Sequence, residues 1–142
     1  MQRTIVLTTT ATLIFATLGL GAAAQEVPKR KPGLWEITTV GAGSGTNVAK
    51  ACIGEDDHIL APGGGNCAEP KVTSGGEDTV IVNVVCKSGD SKETISGAFT
   101  GDFSTRYRAQ VKMSFDPPPS GMPPHVGVTI DGKYLGPDCP PE

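Results

Sequence analysis

From Phe103 to Phe115 the chain alternates without interruption. Phe103, Thr105, Tyr107, Ala109, Val111, Met113 and Phe115 stand against Ser104, Arg106, Arg108, Gln110, Lys112 and Ser114. Successive side chains leave a β-strand on opposite sides, so this period of two describes a strand with one buried and one wetted face. A helix turns every ~3.6 residues and would scramble the pattern. A strand wetted on one side belongs to an antiparallel sheet, because parallel strands are covered on both faces.

The remainder of the chain agrees. Beyond residue 24, Val and Ile together number 17 and Leu only 3, a bias toward β-branched side chains that fit a pleated surface. Further strands are predicted over Leu34–Val40, Thr46–Ile53, Thr79–Lys87, Lys92–Thr100 and His125–Leu135. Val80, Val82, Val84 and Cys86 share one face of the third of these and Ile81 and Val85 the other, which marks it as central or nearly covered on both sides. Gly41-Ala42-Gly43-Ser44-Gly45, Ser88-Gly89-Asp90 and the proline-rich Asp116–Pro124 stretch supply turns. Residues 25–31 read as a solvated lead-in. Gly54–Ala68 reads as an irregular loop with a helical turn near Glu55–Leu60. The expectation is an all-β antiparallel meander of six to seven strands, forming a curled sheet, a partial barrel or a two-layer sandwich.

Residues 1–24 have the zones of a cleavable signal peptide: Arg3, the apolar run Ile5–Leu20, and Ala22-Ala23-Ala24 before a cut. A single β domain over 25–142 is expected to follow, exported to the periplasm and with no membrane span after cleavage. Removing Arg3 leaves 11 Lys+Arg against 15 Asp+Glu. That acidic balance argues against nucleic acid as a partner and leads us to expect no broad basic surface.

Only 28 of the 118 residues after position 24 are large and apolar, a thin core for a domain of this size. Four cysteines in an exported chain read as two disulfides that reinforce it. Three pairings are possible. The one we favour joins Cys67 to Cys86 on neighbouring strands and Cys52 to Cys139 across the ends of the domain; the other two remain open.

Five landmarks then fall in order: Lys31-Pro32-Gly33-Leu34-Trp35-Glu36, the Cys52 and Cys67 pair flanking a polar loop, Val85-Cys86, Gly97 to Tyr107, and Gly132 to Pro140 with Gly136-Pro137-Asp138-Cys139. Together they resemble an uncharacterised family of exported Gram-negative bacterial proteins, a domain of unknown function. That family opens with Pro-Gly-Leu-Trp-Glu and closes near Gly-x-Cys. Here two residues separate Gly136 from Cys139. The resemblance implies an exported, periplasmic bacterial domain with no established activity and carries no catalytic residues with it.

No nucleophile elbow, phosphate loop or Cys-x-x-Cys pair is present. Asp56, Asp57 and His58 form an acidic, histidine-bearing cluster, the one candidate for metal handling; a solvated loop is the simpler reading, because adjacent carboxylates point apart. A hydrolase would need His58 or His125 as its base. Trp35, the sole tryptophan, is either the largest core residue or a ligand contact. Arg106, Arg108 and Lys112 line the wet face of the long strand, where an acidic partner or an anionic lipid head group could engage them. The sequence implies no cofactor. Its leading functional expectation is a non-catalytic periplasmic binding or interaction module for an envelope protein or small ligand. Metal handling and an unrecognised hydrolase are the alternatives.

Overall fold

The computed structural model describes residues 26–57, 59–60 and 66–140. Among them are eight strands and no helix: β1 (Gly33–Gly41), β2 (Gly45–Ile53), β3 (Asn66–Cys67), β4 (Lys71–Ser74), β5 (Thr79–Ser88), β6 (Ser91–Gly101), β7 (Arg106–Asp116) and β8 (His125–Gly136). All pairs are antiparallel, in one open sheet ordered β2-β1-β8-β7-β6-β5-β3, with β4 beside β5. The connection from β1 and β2 to the rest runs through β8, so the chain's first hairpin meets its last strand.

The two strands beyond the six placed on the sequence are β3 and β4. They cover two and four residues, too short for an alternation to register, and Pro70 lies between them. The sheet is therefore a single layer and not a sandwich. Residues 55–56 and 59–60 form turns, so no helical turn is seen in the described part of that loop.

One face of the sheet holds the core. Trp35, Val82, Val84, Phe99 and Ala109 are almost wholly enclosed, and register aligns them in rows: Thr39, Ile130, Ala109, Phe99 and Val80 form one, and Gly41, Val128, Val111, Gly97 and Val82 the next. Val27, Ile59 and Leu60, from outside the strands, pack onto this face. At roughly 1.5–3 kcal/mol for each fully buried large apolar side chain, so few of them leave little margin. Both disulfides therefore matter. Cys67–Cys86 joins directly opposed residues of β3 and β5, and Cys52–Cys139 ties β2 to the chain end after β8.

The lead-in is not simply solvated. Arg30 lies against the core end of the sheet and is bound on three sides. Its Nε and Nη2 donate to the two oxygens of Asp57 at 2.8 and 2.6 Å, and its Nη1 donates to the Tyr107 hydroxyl at 3.3 Å. Both side chains of the Arg30–Asp57 pair are only about a tenth exposed. The Lys31 N–H donates to the Phe103 carbonyl at 2.8 Å, fixing the next residue as well.

The long alternation begins earlier in the sequence than the strand does. Asp102 accepts from the backbone N–H groups of Ser104 (2.8 Å), Thr105 (2.7 Å) and Arg106 (3.2 Å), and from the Thr105 hydroxyl. Phe103 sits there with φ 56°. This side-chain-capped turn delays β7 to Arg106, while the Phe103 ring still stacks on Tyr107. No helix among the described residues is long and apolar enough to cross a membrane.

Candidate binding surface

The strand registers sort the charges as well as the apolar residues. Following the pairing from strand to strand, Lys50, Glu36, Asp131, Lys133, Arg106, Arg108, Lys112, Asp116, Lys92, Lys87 and Lys71 all fall on the face opposite the core. That face carries eight Lys or Arg against three Asp or Glu. A chain with excess acid thus presents a basic sheet surface, which corrects the expectation drawn from net charge. The acids sit mainly in loops, and a net count cannot see that separation.

Two shallow depressions lie along β7 on this face. The larger, about 440 Å³, is lined by Thr100, Gly101, Asp102, Arg106, Tyr107, Arg108 and Asp131. The smaller, about 310 Å³, is lined by Ile81, Ser96, Ala98, Gln110, Val111 and Lys112. Arg106, Arg108 and Lys112, singled out from the sequence, thus line the two depressions between them.

In the larger depression both guanidinium groups share one carboxylate. Arg106 Nη2 reaches both Asp131 oxygens at 3.0 Å, and Arg108 Nη2 reaches Oδ2 at 3.1 Å. Asp131 faces Arg108 directly across the β7–β8 ladder, which is why one acid can serve both. The Arg106 hydrogen bond and, after burial's opposing effect, that of Arg108 hold the Asp131 carboxyl below its usual range. Asp102, at the rim, is also held well below that range, first by the Thr105 hydroxyl and then by backbone N–H groups. Its oxygens are thus engaged by the turn. The Arg106 and Arg108 side chains remain about two-thirds exposed, and among the described residues their Nη1 groups meet no acceptor. Two planar forks with donors left over, oriented by a shared carboxylate, can accept a carboxylate or phosphate from outside.

The other sequence candidates go elsewhere. Trp35 is fully buried, its Nε1 donating to the Lys31 carbonyl at 2.8 Å, and its ring packs against Tyr107 and Tyr134 with centroids 5.6 and 5.4 Å away. It is a core residue and offers no surface to a ligand. Asp57 is engaged by Arg30 as described, Asp56 is exposed, and His58 lies outside the described residues. Among the described residues no three His, Cys, Asp or Glu side chains converge as a metal site would require. His125 Nδ1 lies 3.0 Å from the Ser114 hydroxyl, its cross-strand partner, on an exposed strand end. Among the described residues no other hydrogen bond orients the ring, so no nucleophile–base–orienter arrangement is formed there among them.

Sequence reasoning passed over Arg30 and Asp131. The alternation of Val126, Val128 and Ile130 puts Asp131 on the other face of the last strand, but its place beside Arg106 and Arg108 rests on inter-strand register. Arg30 had no readable signal, because its partner arrives from a loop 27 residues away.

Residues 30–139 match the family described as a protein of unknown function, DUF3617. The chain belongs to that family. No curated protein and no solved structure matches it.

Proposed function

We propose that this family member is a non-catalytic, exported binding module that engages an anionic group of an envelope partner through its outer sheet face. Arg106 and Arg108 form the focus, and Lys112 extends the surface along β7. The observation that carries this reading is the pair of exposed guanidinium groups sharing Asp131 with donors unspent, inside a face where cations outnumber acids. Exposed cations on a flat face attract an acidic surface over roughly a Debye length, about 8 Å at physiological salt. Export to the periplasm fits the two disulfides, which persist in oxidising compartments.

The test is binding to vesicles of anionic phospholipid, vesicles of zwitterionic phospholipid, and soluble poly-glutamate, at low and physiological salt. Salt-sensitive binding to an anionic probe, weakened at least tenfold in Arg106→Ser/Arg108→Ser, is expected. Equal affinity of wild type and variant for every probe, or none at all, overturns the proposal. The anionic probe that binds decides between a membrane surface and an acidic protein.

A further inference from the structure

We infer that β2 is a self-association edge, pairing antiparallel with β2 of a second copy of this chain about Val48. The two edges of the sheet differ. One is formed by β3 and β4, two and four residues long, broken by Pro70, which is how proteins blunt an edge. The other is β2, nine residues with eight exposed or part-exposed and only its last residue buried, no proline, and β1 as its single neighbour among the described residues.

The backbone phase of β2 follows from its hairpin. Ser44 N–H donates to the Gly41 carbonyl, so Gly41 faces β2. Hydrogen-bonded pairs alternate along an antiparallel ladder, so Thr39 and Ile37 likewise bond Asn47 and Ala49. The N–H and C=O groups of Thr46, Val48 and Lys50 are then the ones that point away from the sheet.

These three residues are complementary to themselves. Antiparallel pairing centred on Val48 sets Val48 against its counterpart and Lys50 against Thr46 of the other copy. Parallel pairing in register would oppose Lys50 to Lys50, the only charge on the strand. Val48 and Val40, 60% and 45% exposed, are two of the four exposed large apolar residues among the described ones. They lie diagonally on the same outer face, because Val40 pairs with Thr46. Pairing about Val48 brings two such patches together. A second copy satisfies the edge without any charge conflict, and that self-complementarity is why we assign it as the occupant. The two-fold axis stands perpendicular to the sheet, so the basic faces of both copies look the same way.

An edge-only contact lies at the small end of interface sizes, so dissociation on the order of 10–100 µM is expected. Sedimentation velocity of the oxidised protein between 5 µM and 1 mM tests it, beside the amide exchange of Thr46, Val48 and Lys50. Val48→Pro removes the central outward N–H without touching the β1 ladder, a position where proline is tolerated. It should leave far-UV and near-UV spectra unchanged and abolish the dimer. Val48→Lys, which opposes two cations, should raise the dissociation constant at least tenfold. Concentration-dependent protection of those amides in the wild type, lost at Thr46 and Lys50 in both variants, supports the assignment. A protein monomeric to 1 mM, or a dimer indifferent to both substitutions, overturns it; if Val48→Pro alters the spectra, Val48→Lys and the amide exchange decide.

Discussion

Gly132→Ala should destabilise the domain although it adds one methyl group to a strand. Gly132 is buried in β8 with Tyr107 directly opposite it on β7. A Cβ built there would overlap one ring carbon of Tyr107 and lie 2.6 Å from two more. The ring cannot swing away freely, since it packs on Trp35 at 5.6 Å and Phe103 at 5.9 Å, and its hydroxyl receives Arg30. Overpacking of this kind costs about 1–3 kcal/mol. Replacing glycine also restricts the unfolded chain, which returns about 0.4–1 kcal/mol. The net expectation is a loss of about 1–2 kcal/mol, or several degrees in melting temperature. Gly127 is the internal control: it lies on the same strand, its φ is not in the left-handed range, and nothing lies within 4 Å of a Cβ there. Gly127→Ala should be neutral or slightly stabilising. Denaturant titration of both variants, repeated in a Tyr107→Ala background, checks the cause, because removing the ring should remove most of the Gly132 penalty. If Gly132→Ala and Gly127→Ala behave alike, or if the penalty persists without the ring, the close packing of Tyr107 on the β8 backbone is wrong.

Asp57→Ala should cost about 2–3 kcal/mol, since it leaves the part-buried Arg30 guanidinium without its charged acceptors; a double-mutant cycle with Arg30→Ala measures the coupling, and additivity would refute the clasp. Loop length predicts that losing Cys52–Cys139, which spans 87 residues, costs about 4.5 kcal/mol. Losing Cys67–Cys86, which spans 19, costs about 3. Paired Cys→Ser variants compared by urea unfolding give the order. Asp131 has a folded pKa below its ordinary 3.8, so its contribution is complete above 3.8 and disappears as pH falls through the lowered value. Carboxyl NMR titration should show Asp131 and Asp102 protonating below the ordinary aspartate range, and a normal titration of either would refute the hydrogen bonding described for it.

How far the sequence revealed this fold depended on whether a signal was local. Alternation in Phe103–Phe115 found β7 and its wetted face, because the period is written in consecutive residues. Cys67–Cys86 was legible only as part of the favoured one of three pairings, on the expectation that it joins neighbouring strands. β3 and β4 escaped because strands of that length exist only through pairing with β5. The lead-in escaped too: Val-Pro-Lys-Arg-Lys looks solvated until Asp57 and Tyr107 are placed around Arg30. Among the candidate site residues, Arg106, Arg108 and Lys112 were legible as one face of one strand. What lay beyond reach was their surroundings, since Asp131 and the five other cations join that face only through inter-strand register.

The single-layer architecture also explains why binding at this face is compatible with a thin core. In a sandwich, both sheets spend their inner faces on each other and rim loops carry function. Here Val27, Ile59, Leu60 and the Trp35–Tyr107–Tyr134 cluster cover the one apolar face, which leaves the whole opposite face free of packing duty. Its exposed side chains can be cationic without any desolvation cost, because none is buried in folding. A substitution such as Arg108→Ser should therefore alter binding while moving stability by no more than about 0.5 kcal/mol, whereas the same change at Arg30, a tenth exposed, should unfold part of the domain. Two arginines of opposite consequence, told apart by which side of one sheet they occupy, separate the binding surface from the structural clasp experimentally.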